Sequence, residues 1–148
     1  MKTLLQSFSV SLLLLLTGLA YGESLMLSFD DQRRFYLQVE VAGSVAERQR
    51  GLMWRKHLPL HHGLIMLYPR PRKVAIWMKN TYIPLDILFL NKEMEIVSIA
   101  ENAEPLSLQH IHSNGKVAAV LEINAGMVSS LGLRQGMKLQ FISALPGE

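Results

Sequence analysis

Residues Ile83–Leu90 read IPLDILFL. In an extended strand successive side chains fall on opposite faces. Ile83, Leu85, Ile87 and Phe89 then share one face, and Pro84, Asp86, Leu88 and Leu90 share the other. Both faces are apolar, so the segment predicts a central strand covered on both sides. Asp86 is the exception. A bare carboxylate among leucines would cost several kcal/mol. It must be paired, hydrogen-bonded, protonated or opened to a pocket. The segment VLEI (Val120–Ile123) poses the same question through Glu122, which shares a face with Ala118 and Val120.

Working outward, most of the chain carries short-strand signals. Arg34–Ala42 alternates cleanly, with Phe35, Leu37, Val39 and Val41 on one face. Ser24–Asp30, Gly63–Pro69, Lys73–Lys79, Met94–Ala103 and Met137–Ser143 read as further strands, with a turn at PRPR (Pro69–Arg72). Asn114-Gly115 predicts a type I′ hairpin turn joining Leu106–His112 to Lys116–Asn124. Ser44, with Glu47 three residues later, is a capping box. It predicts a short helix from Val45 that ends at Gly51. Ala125–Gly132 predicts a second short helix. No βαβ alternation, repeat or low-complexity segment is evident. The expectation is a mainly β fold: a compact antiparallel sandwich or barrel of about eight or nine short strands with one or two short helices.

The 148-residue chain is 49% hydrophobic and 18% charged, which suits one packed domain and not a disordered chain. A net charge of +3 implies no nucleic-acid partner, because a nucleic-acid binder shows a denser basic face. The first 22 residues read as a secretory signal. Lys2 opens it, an apolar stretch runs to Ala20, and small residues follow at Ala20 and Gly22. The apolar stretch is shorter than the roughly 20 residues that span a bilayer. An uncleaved inner-membrane anchor is the alternative, and it would be the chain's membrane contact. The expected domain is therefore residues 23–148, exported to the periplasm or secreted. The chain has no Cys, so an exported domain relies on its core rather than on disulfides.

The motifs Glu47–Arg55 (ERQRGLMWR), Gly63–Pro69 (GLIMLYP), Trp77–Leu90 (WMKNTYIPLDILFL), Val120–Gly126 (VLEINAG) and Gly132–Phe141 (GLRQGMKLQF) resemble the domain-of-unknown-function family 192, also known as uncharacterised protein family 0127. The resemblance runs from about Gln38 to Phe141. It implies a compact, mostly β, often exported domain and no established activity. Where that family usually has Gly-Asp before the last strand, this chain has Gly136-Met137. Where it often has Phe before Trp, this chain has Ile76. The resemblance favours a shared polar cluster of Arg48, Arg55, Asn80, Asp86 and Glu122.

The functional reading is a module that binds a small polar molecule or a glycan through a semi-buried cluster of Arg48, Arg55, Trp77, Asn80, Thr81, Asp86 and Glu122. Asp86 is expected to accept hydrogen bonds from the Asn80–Thr81 segment or from an arginine, beside Glu122. The structural alternative has each carboxylate held by loop amides or an arginine, with Asn80 and Thr81 serving the turn. The residues also admit other functions. An interaction domain without a ligand could dock through the basic loop Arg70–Lys73. A hydrolase would use Asp86 and Glu122 across a cleft, but no catalytic motif is present. A copper site would draw on Met53, His57, His61, His62 and Met66, or on His110 and His112. Pro59 interrupts the helix that would align His57 with His61, so neither a metal nor another cofactor is expected.

Overall fold

A computed structural model describes residues 24–29 and 36–142. The signal-like segment lies outside the described residues. Nine strands and two short helices follow in order: β1 Ser24–Phe29, β2 Tyr36–Ala42, α1 Val45–Arg50, β3 His62–Arg72, β4 Ala75–Ile76, β5 Leu85–Leu90, β6 Ile96–Ala103, β7 Ile111–His112, β8 Val117–Asn124, α2 Met127–Leu131 and β9 Leu139–Ile142. The fold is mainly β, as the alternation predicts.

Seven strands form one sheet in the order β6-β5-β8-β3-β2-β1-β9. Its two edges meet. Glu95 bridges to Lys138, the Ile96 amide donates to the Met137 carbonyl at 2.8 Å, and the Leu139 amide donates to the Met94 carbonyl at 2.9 Å. The sheet thus curls into a barrel and removes the open edges that invite aggregation. Inside it, Leu37, Val39, Ile65, Leu88, Leu90 and Leu121 pack with Met127, Val128 and Leu131 of α2. On the outer face, Leu64, Met66, Leu85, Ile87 and Phe89 are covered by Leu52, Leu58, Val74, Ile76 and Met78. All six residues of β5 are buried, as a strand covered on both sides requires.

Three details depart from the sequence reading. First, β2 and β3 pair in parallel, so the sheet is mixed and contains one βαβ-type crossover. Residues 43–61 are long enough to carry the chain back over the sheet, and a six-residue helix is too short to announce such a unit. Second, Asn114-Gly115 does not close a hairpin. β7 pairs with β4 in a separate two-stranded sheet, while β8 pairs with β3 and β5. A type I′ turn needs positive φ at both central residues, and only Gly115 of the two has it, at 97°. The neighbouring Ser113 hydroxyl accepts from the Val74 amide at 2.9 Å and so ties this turn to the chain before β4. Third, β3 runs on through Pro69–Arg72 instead of turning there. Its register with β8 shifts between Leu67 and Arg72, and such an irregularity accommodates prolines that cannot donate to a ladder.

Candidate functional site

The site forms on the outer face of β3 and β8, where the end of α1 and the segment leading into β4 cover the sheet. Ser44 and Glu47 make the reciprocal capping box that starts α1. The helix stops at Gly51, with φ 48° and ψ −132°, a conformation that L side chains resist. A Cβ on Gly51 would stand 3.1 Å from Met66 Cε and 3.6 Å from Glu122 Oε2. The bare glycine therefore lets the chain pass close over the carboxylate. Arg48 points back along the helix. Its guanidinium donates to the carbonyls of Gly43 and, at 2.9 Å, Leu67, and it lies 5.0 Å above the Tyr68 ring centroid.

Glu122 lies in register between Leu64 of β3 and Ile87 of β5. It is 4% exposed, and its Oε2 is fully buried without a hydrogen-bond partner among the described residues. Burial pushes its carboxyl up to about 7, partly offset by the Arg55 cation. It forms part of the lining of a pocket of about 370 Å³. Met66 and Gly51 flank it at the floor. Tyr68, Trp77 and His110 supply aromatic surface, and Arg48, Arg50, Arg72 and Lys73 supply positive charge. Trp77 is 40% exposed; Lys79 Nζ sits 5.0 Å from its ring centroid and the His110 ring lies 5.9 Å away. Burial also raises the Tyr68 phenol above its usual range.

Of the residues singled out from sequence, Arg48, Trp77, Thr81 and Glu122 meet at this pocket. Thr81 also serves its turn, since its hydroxyl donates to the Lys79 carbonyl at 3.2 Å. Asn80 is a turn residue with φ 55°, and its carbonyl accepts from the Trp54 amide at 2.7 Å. Arg55 makes a two-pronged ion pair with Glu40 on β2, and that hydrogen-bonded guanidinium holds the Glu40 carboxyl below its usual range.

Asp86 lies on the other face of the sheet, inside the barrel, because it stands one residue from Ile87 on a strand of period two. Its two oxygens accept from the amides of Asn102 and Val128, each at 2.9 Å. Its partners are thus neither the Asn80–Thr81 segment nor an arginine. It pins β6 and the start of α2 to β5. Asp86 and Glu122 cannot flank one scissile bond, since a sheet separates them. Among the described residues no three histidines, aspartates or glutamates are grouped to hold a metal ion. His110 and His112 instead meet edge to face at 5.9 Å. The sequence motifs do not single out Tyr68. Its alternation with Leu64 and Met66 along β3 was the available signal, and only the register with β8 places that row beside Glu122.

The profile of the family DUF192, described as "Uncharacterized ACR, COG1430", matches residues 25–141. No curated protein matches the chain. Similar solved structures include the following two. One, from Sinorhizobium meliloti 1021, is described as a candidate transcription regulator. It is 38% identical, with a TM-score of 0.79 over 84% of this chain and 97% of that one. The other, a protein of unknown function from Novosphingobium aromaticivorans DSM 12444, is 35% identical, with a TM-score of 0.76 over 79% of this chain and 84% of that one.

Proposed function

The chain belongs to DUF192, and from that premise we propose that it is a small-molecule-binding module whose ligand enters the pocket over β3 and β8 and meets Glu122. One observation carries the reading. Glu122 lines a pocket large enough for a small organic molecule, and one oxygen of its carboxyl is buried without a partner among the described residues. Leaving such a group unsatisfied costs about 1–3 kcal/mol or more, and a ligand donor would remove that cost. Pockets of roughly 300–1,000 Å³ with mostly apolar walls and a few convergent polar groups are the usual form of small-molecule sites. Met53, Met66, Val74 and Ile76 give the apolar walls here. The half-exposed Trp77 at the edge offers a face for a planar or saccharide ring. The signal-like first 22 residues would deliver this module to the periplasm or the exterior.

The test is a small-molecule screen of the full chain read by methyl NMR of Met53 and Met66, repeated on Glu122→Met. The expected result is a set of compounds that shift both methyl signals in the wild type and lose most of that affinity in the variant. Binders that leave the two methyl signals unmoved, or that bind the variant equally well, would place the ligand elsewhere and sink the reading.

A further inference from the structure

Resting on this pocket as a ligand site, we infer that its ligand is a small organic anion that also carries a hydroxyl or amine donor: the anionic group lies toward Arg72 and Lys73 and the donor meets the Glu122 carboxyl. The charges on the pocket wall are lopsided. Four cations, Arg48, Arg50, Arg72 and Lys73, stand against one acid, Glu122. Clefts lined by one sign of charge concentrate ligands of the other. Arg48 is already engaged with two backbone carbonyls. Arg72 and Lys73 are exposed, and neither is in an ion pair among the described residues. They are the groups available to an incoming anion.

The floor sets the second requirement. A carboxylate or phosphate pushed against the ionised Glu122 would meet like charge, so above neutrality the anionic group belongs at the mouth. A wholly apolar ligand would leave the Glu122 carboxyl without a donor. A simple cation would have to pass the basic mouth. Met53 and Met66, adaptable side chains that fit irregular shapes, also line the pocket. Hydroxy acids, amino-acid-like zwitterions and sugar acids or sugar phosphates share the required pattern.

The experiment titrates the full chain, with labelled methionine methyl groups, against ω-hydroxycarboxylates of increasing length. Three matched series run beside them: ω-hydroxyalkyl phosphates, ω-hydroxyamides, and carboxylates lacking the hydroxyl. Saturable shifts of Met53 and Met66 are expected with one of the hydroxylated anionic series, and the tighter of the two names the head group. The neutral amides and the hydroxyl-free acids should each bind about tenfold more weakly, as loss of one charge-assisted hydrogen bond implies. Arg72→Ala and Lys73→Ala should weaken the anions and leave the amides unchanged. Amides that bind as tightly as the anions, or anion binding indifferent to both substitutions, would overturn the inference while leaving the pocket a ligand site. If no series moves either methyl signal, the pocket reading fails with it.

Discussion

Two buried carboxylates on opposite faces of one sheet have opposite characters. Asp86 has a donor on each oxygen, whereas Glu122 has an oxygen with none. Asp86→Ala should destabilise the fold by about 3–5 kcal/mol, because two charge-assisted bonds vanish and two amides are left buried. Urea unfolding would show this, and a loss below 1 kcal/mol, roughly, would refute the assignment. Glu122 should behave in the reverse way. Its carboxyl titrates near 7 in the folded chain against an ordinary 4.5. Between those values the folded state keeps a proton that the unfolded chain has released. The Glu122 contribution to stability is therefore largest below 4.5, falls as pH rises toward 7, and levels off above it. The full decline is about 3 kcal/mol. Glu122→Met, similar in size and uncharged, should abolish this component and be the more stable protein above pH 7. Denaturation midpoints of both proteins across that range give the check; parallel curves would mean that Glu122 is not held near neutrality. The sequence showed that both acids sit in apolar strands, and period two even assigned each to a face of its own strand. It could not say that the two faces oppose each other, because that depends on how β5 and β8 register.

The end of α1 is the element on which the pocket depends. The capping box and the glycine stop were both legible, since each is a local signal satisfied within a few residues. What lies under Gly51 was not legible, because Met66 and Glu122 come from distant strands. Gly51→Ala should cost about 1–3 kcal/mol through its positive φ and the close Met66 contact. It should also shift the Met66 methyl resonance, as the pocket floor gives way. A thermal melt and one methyl spectrum test both, and an unshifted Met66 signal would show that α1 does not press on the floor. The Asn114-Gly115 turn teaches the complementary lesson. A strong local turn signal marked where the chain bends, yet the strands on either side joined different sheets.

At the scale of the molecule, β5 and β8 are sandwiched between the barrel interior and the outer cluster. Their amides should exchange with solvent only on global unfolding, while α1, which has no buried residue, and the 104–110 segment should exchange much faster. Hydrogen exchange resolved by residue checks this, and equal protection of α1 and β5 would contradict it. Closure of the barrel through Glu95 and Lys138 joins residues far apart in the chain, so no window of sequence could announce it. By itself the sequence determined the strand content, the two helix positions, the doubly buried β5 and the family motifs. All of these rest on periodicity, capping and turn chemistry that act within a few residues. Only the tertiary structure decided the parallel β2–β3 pair, the closure of the sheet, the separation of Asp86 from Glu122 and the pocket itself. Those depend on which strands lie side by side and in what register, a choice made by burial of the whole chain and not by any one segment.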